Sequence, residues 1–106
     1  MRIYLDECVP RPLAKLLEGH ECRDALQMRW TGLRNGVLLG QVEDEGFDVF
    51  LTSDQNLGYQ QNLKKLQVAI VVLPTNHWPL FRNSVNRILD ILETLQPGDD
   101  FELVID

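Results

Sequence analysis

Two short runs place acids where a metal-assisted reaction needs them: Leu5-Asp6-Glu7 and Leu51-Thr52-Ser53-Asp54. Each puts a carboxylate at the end of an apolar segment that reads as a buried strand. In an open parallel sheet, ligands bind in the crevice beyond the carboxyl ends of the strands. Two strands that both end in Asp are therefore expected to bring their charges into one cleft. Like charges held close repel unless a cation lies between them, and oxygen-only ligands suit Mg²⁺ or Mn²⁺. Asp6 and Asp54 are the expected metal ligands, and phosphodiester chemistry is the expected use of the metal.

Each candidate also has an ordinary role to weigh. Asp6 alone reads as a turn or capping residue; paired with Asp54 it reads as functional. Asp54 alone suits the N-cap of the turn that follows it. Glu7 points away from Asp6 on an extended segment, so it either supports the site from behind or is solvated. The hydroxyls of Thr52 and Ser53 can orient a carboxylate, a water or a phosphate oxygen. Asn35, Glu43, Asp44 and Glu45 lie on or near the intervening helix, where a charge run is usually a solvated face. Gln60-Gln61-Asn62 beside Tyr59 reads as a loop anchored by hydrogen bonds rather than a nucleotide reader. Trp30 and Trp78 can stack on bases, but large aromatics in a small domain more often belong to its core. Cys8, His20, Cys22 and His77 match no zinc spacing.

The elements that must position these residues follow from apolar patterning. Residues 2–5 form a short strand. Pro12 suits a first helical turn, with Leu13, Leu16 and Leu17 on one face, and Gly19 supplies a stop. Residues 20–23 read as a short polar strand, and 25–35 as connection. A helix over about 36–45 carries Val37, Leu38 and Val42, closed by Gly46. The runs 47–52 and 68–73 are nearly continuous in bulky apolar residues, as strands covered on both faces are. A longer helix over about 79–95 repeats Phe81, Val85, Ile88, Leu92 and Leu95 at helical spacing, and 101–105 reads as a last strand. Strands alternating with helices imply βαβ units, right-handed crossovers and a parallel sheet.

Composition agrees with a globular domain. The chain has 106 residues, matching one domain over 1–106, and is 44% hydrophobic and 25% charged. A net charge of −6 argues against gripping nucleic acid by charge alone. It leaves a metal-dependent nuclease open, because there the cation meets the phosphate. No apolar run approaches the roughly 20 residues of a membrane span, and no signal peptide is expected ahead of the first strand. Two cysteines without a CxxC pair fit a reducing compartment. A cytoplasmic location, with no membrane partner, is expected.

With these residues in view, the chain resembles the PIN-like family of small prokaryotic proteins carrying a domain of unknown function, related to toxin ribonucleases. The resemblance rests on Ile3-Tyr4-Leu5-Asp6-Glu7 with Pro10 and Leu13, then Gly19-His20-Glu21, Gly32-Leu33 with Leu38-Leu39, and the run from Gly46-Phe47 through Thr52-Ser53-Asp54 to Leu57. It covers most of the chain through Leu73. It implies an α/β fold, a three-layer α/β/α sandwich around a central, mostly parallel sheet. It also implies a metal-dependent endoribonuclease cutting single-stranded RNA, an antitoxin protein as restraining partner, and a homodimer. Asp6 and Asp54 match two of the family's metal-holding acids. The family often carries an acid at the start of the middle helix, a place held here by Asn35, and an amide is a weaker ligand for a hard cation. Glu7 and Glu43 are the residues available to compensate. The candidate catalytic set is thus Asp6, Asp54, Glu7 and Asn35.

Two other classes compete. Asn35 and the modest number of bases suit a non-catalytic binding module on the same scaffold. Acids after the first strand and an Asp after the third are similar to phospho-signalling receiver domains, although Val68 to Leu73 lacks a terminal Ser or Thr and Leu73-Pro74 offers no Lys-Pro pair.

Overall fold

The structure is a computed structural model that describes residues 1–33, 35–53, 67–74 and 85–102. Five strands, β1 (Arg2–Leu5), β2 (Glu21–Asp24), β3 (Val49–Thr52), β4 (Ala69–Val72) and β5 (Asp100–Glu102), form one sheet in the order β2-β1-β3-β4-β5. Every pairing is parallel. The described helices are α1 (Pro12–Leu16), α2 (Ala25–Met28), α3 (Asn35–Asp44) and α4 (Val85–Thr94). Among the described residues no helix is long and apolar enough to cross a membrane.

The apolar runs become strands because both sides of the sheet are covered. Ile3, Leu5, Val49, Leu51, Ala69 and Val71 face one core, to which α1 adds Leu13 and α4 adds Ile88 and Leu92. Tyr4, Phe50, Ile70 and Val72 face the other, which α3 closes with Leu38, Leu39 and Val42. This is the period-two alternation of a pleated strand, with apolar residues required on both faces. Each large side chain so buried contributes roughly 1.5–3 kcal/mol relative to exposure. β2 can be polar because it is an edge, and its Arg23 and Asp24 are only partly covered.

Local chemistry sets the helix ends. Pro12 opens α1, where its missing N–H costs nothing. Asp24 caps α2 by accepting the Gln27 backbone N–H, while the Gln27 side chain accepts the Asp24 N–H, a reciprocal capping box. The sequence reading took this stretch as connection; the reciprocal cap is what lets a four-residue helix form there.

One expectation about connectivity fails. The step from β1 to β2 goes one way across the sheet with α1 on one face, and the step from β4 to β5 goes the other way with α4 on that same face. The two crossovers therefore have opposite hands, whereas a uniform right hand is the rule. The amphipathic stripe of α4 is buried beside α1, on the core that holds Leu13 and Leu17.

Candidate functional site at the carboxyl edge of the sheet

The strand order has a switch point. From β1 the chain proceeds outward to β2; from β3 it proceeds to β4 on the opposite side. The crevice beyond the ends of β1 and β3 is where open sheets of this kind bind ligands. Asp6 follows β1 at this place. Its backbone N–H donates to the Leu51 carbonyl at 2.9 Å, so the carboxylate is carried on an extension of the ladder.

The carboxylate is held by both strand exits. Oδ1 of Asp6 accepts the Glu7 N–H at 2.9 Å, and Oδ2 accepts the Thr52 hydroxyl at 2.8 Å. Thr52 is fully buried, so its hydroxyl donates in a low-dielectric setting where a bond to a charged acceptor is strong. Cys8 joins the cluster: its Sγ lies 3.6 Å from Asp6 Oδ2 and 3.5 Å from Thr52 Oγ1, and it accepts the Ser53 N–H at 3.3 Å. The Ser53 hydroxyl donates to the Cys8 carbonyl at 3.4 Å. Sequence reasoning found the Thr52 and Ser53 hydroxyls but weighed Cys8 only as a zinc ligand, for which its spacing is wrong.

Glu7 does a different job from Asp6. Its Oε1 accepts the Gly32 N–H at 2.8 Å, pinning the loop that leads to α3. Gly32 has φ +86°, a left-handed conformation that a side chain would strain. Beside Asp6 and Glu7 opens a cleft of about 220 Å³, floored by Val9 and Ala25 and flanked by Leu26. Arg11, Asp24 and Thr31 complete its rim, and Arg11 Nε approaches Asp24 Oδ2 at 3.5 Å. Asp24 and Arg11 were absent from the candidates chosen by sequence; the Asp-x-x-Gln spacing of a capping box was the available signal for the first.

Tyr4 lies beneath this edge. It is fully buried among Trp30, Phe47 and Phe50, with ring centroids 5.4, 5.8 and 5.5 Å away. Among the described residues its hydroxyl has no hydrogen-bond partner. Burial, then the charges of Asp6, Glu7 and Asp24, push the phenol's pKa well up, so it stays neutral. Trp30 is thus a core aromatic, the plainer of its two readings.

Glu43 is a correction. Its carboxylate accepts the backbone N–H groups of Gln67 at 3.0 Å and Val68 at 2.9 Å, immediately before β4. That is the amino edge of the sheet, opposite Asp6, because α3 runs antiparallel to the strands it connects. Glu43 cannot compensate at the carboxyl edge for the amide of Asn35. Asn35 itself is the first residue of α3. Asp54, Gln60-Gln61-Asn62, His77 and Trp78 lie outside the described residues.

The Asp6 carboxylate and the Thr52 and Ser53 hydroxyls are hard oxygens, which suit Mg²⁺ or Mn²⁺, and the Cys8 thiol beside them is a soft donor. Among the described residues, no three His, Cys, Asp or Glu side chains are grouped to hold a metal ion. Asp6 fits as a single ligand among the described residues.

The fold and this edge define a class: an α/β protein with an all-parallel sheet and an acid at its topological switch point. Comparison with protein-family models, with curated proteins and with solved structures gives no significant match.

Proposed function

We propose that this chain is a PIN-like, three-layer α/β/α ribonuclease that cuts single-stranded RNA with the help of Mg²⁺ or Mn²⁺. In this reading it acts in the cytoplasm as the toxin of a toxin–antitoxin pair, restrained by an antitoxin protein and paired as a homodimer. The observation that carries the reading is the placement of Asp6. It sits at the switch point, hydrogen-bonded to Thr52, and the chain reaches Asp54 only two residues after Thr52.

Asp6 and Asp54 would hold the cation. When bound, such a cation lowers the pKa of a water and neutralises charge developing on a phosphate. The protein's own share is positional. Thr52 and the Glu7 backbone fix the Asp6 carboxylate, leaving lone pairs of its two oxygens for a ligand. Glu7 holds the loop at Gly32 that walls the cleft, and Arg11 is the cation beside it that can meet an RNA phosphate.

An RNase assay with and without Mn²⁺ on the parent, Asp6→Ala and Asp54→Ala tests this. The parent is expected to cleave single-stranded RNA only with metal, and both variants to lose cleavage. Cleavage that needs no metal and survives both substitutions overturns the proposal.

One observation supports a second reading. The strand order 2-1-3-4-5 is the one receiver-type domains use. A phosphoryl acceptor at Asp54 would then replace nuclease chemistry. Stable modification of Asp54 by a small phosphodonor, blocked by Asp54→Asn, would support it; an unmodified protein would dismiss it.

A further inference from the structure

We infer that the outer edge of β2 is the interface between two copies of this chain, paired antiparallel about Cys22, so that His20 of each copy meets Asp24 on the rim of the other's cleft. The inference goes beyond the ribonuclease reading, which names a homodimer but no surface, and it holds whether or not RNA is cut.

The backbone leaves this edge open. β2 ends its side of the sheet, with only β1 beside it among the described residues. The Glu21 N–H donates to the Met1 carbonyl at 2.9 Å, so Glu21 and, two residues on, Arg23 turn their backbone groups toward β1. Those of Cys22 and Asp24 turn outward, where the Asp24 N–H meets the Gln27 side chain at 2.9 Å. Two Cys22 residues set opposite each other can therefore exchange both N–H···O=C bonds, the hydrogen-bonded pair of an antiparallel ladder. Arg23 Nη1 donates to the Cys22 carbonyl at 2.9 Å, and this 42% exposed side chain swings aside as the ladder forms. An open strand edge is a template for another chain.

Charge selects the occupant. In His20-Glu21-Cys22-Arg23-Asp24, residues equidistant from Cys22 are complementary: Glu21 matches Arg23, and His20 matches Asp24. A two-fold interface sets residue i against j and j against i, so a second copy presents the right group at each of these places. Glu21 and Arg23 lie on the same side of the strand, 3.2 Å apart. With their counterparts they make a square of four charges that alternate in sign. Single exposed pairs contribute little, whereas a network of this kind holds its members in place. The sequence of β5, at the other edge, is Asp100-Phe101-Glu102, acids without a base. Two copies joined there would set like charges together, which is unfavourable.

The elements adjoining β2 supply apolar surface. α1, which leads into it, exposes Leu16, and α2, which leaves it, exposes Leu26. Covering such side chains on association is favourable and needs no particular geometry. Antiparallel pairing also sets the amino end of one β2 beside the carboxyl end of the other. The second copy's His20, which carries an N–H donor in either protonation state, thereby reaches the Asp24 carboxylate. Each cleft is completed by a residue of the other chain, and the two clefts open at opposite edges of the joined sheet.

Sedimentation of the whole chain over a range of concentrations measures the association. The parent is expected to dimerise reversibly. Glu21→Arg and Arg23→Glu each set like charges opposite one another at two places, and each alone is expected to weaken the dimer at least about tenfold. An equimolar mixture of the two variants restores opposite signs at both places and is expected to dimerise as the parent does. A monomeric parent, single variants as tightly paired as the parent, or a mixture of folded variants that stays monomeric would overturn the inference. A second measurement needs no variant. In a mixture of isotope-labelled and unlabelled parent, an NOE is expected between the Cα protons of Glu21 and Arg23 on different copies, whose Cα atoms lie about 4.5 Å apart in such a pair. A dimer that lacks this NOE overturns the register and with it the interface. A chain that dimerises through β2 and cuts no RNA defeats the nuclease alone; one that cuts RNA as a monomer defeats the interface alone.

Discussion

The buried hydroxyl of Thr52 donates to Oδ2 of Asp6 at 2.8 Å, tying together two residues 46 positions apart. The bond exists because β1 and β3 are neighbours and Leu5 is paired with Leu51. One residue further along each strand, the acid and the hydroxyl meet.

This bond can be weighed. Thr52→Val keeps the shape and removes the donor; a hydrogen bond to a charged group contributes about 1.5–3 kcal/mol. Thr52→Ser keeps the donor and loses a methyl group, about 0.8 kcal/mol. Urea unfolding is expected to rank the parent first, Ser second and Val last. A valine variant as stable as the serine variant would mean that the hydroxyl does not hold the carboxylate.

Tyr4 should be improvable. Its hydroxyl is buried with no partner among the described residues, and such a group costs about 1–3 kcal/mol. Tyr4→Phe is therefore expected to stabilise the fold by an amount in that range. The pH dependence has a definite sign. The phenol's pKa is raised in the folded state, chiefly by burial and next by Asp6. The unfolded chain loses this proton first, so the contribution is complete below about pH 10 and falls away as pH rises beyond it. The parent should lose stability in alkali faster than Tyr4→Phe, measured by denaturant midpoints from about pH 8 to about pH 11, across the tyrosine range.

Glu43 is expected to matter for stability alone. It accepts two backbone donors ahead of β4, and leaving such groups unpaired costs about 1–3 kcal/mol. Glu43→Ala should lower the unfolding free energy by that amount and leave metal-dependent RNA cleavage at the parent level. A variant that is stable but inactive would return Glu43 to the site.

At Asp24 a cap can be told from a charge effect. Asp24→Ala should cost about 1 kcal/mol by uncapping α2, while Asp24→Asn should be nearly neutral, because both residues cap well. Thermal or urea unfolding of the two variants reads the difference. Equal losses would show that the charge, rather than the cap, stabilises this corner.

Much of the frame was legible in the residues. The apolar runs around Ile3, Phe50 and Ile70 announced buried strands, and each is a strand with no exposed face. The spacing of Ile88 and Leu92 announced an amphipathic helix, found as α4. Asp6 was placed at a strand end, and the hydroxyls of Thr52 and Ser53 were read as possible orienting groups. These features are legible because burial imposes a local period, two along a strand and 3.6 along a helix, that the residue order itself displays.

Other features were not local. Nothing in the order of residues told that β1 lies between β2 and β3, that α4 shares a face with α1, or that Glu43 ends up at the edge opposite Asp6. Cys8 gained its surroundings, and Asp24 its Arg11 neighbour, only when separate segments packed. The amino-acid sequence by itself determined which stretches must be buried and that acids follow two of them. Tertiary structure alone decided that Asp6 meets a buried hydroxyl, that Glu7 pins a loop and that Glu43 holds the start of a strand. Such partners are chosen by pairing and packing across dozens of residues, and no local period encodes that choice.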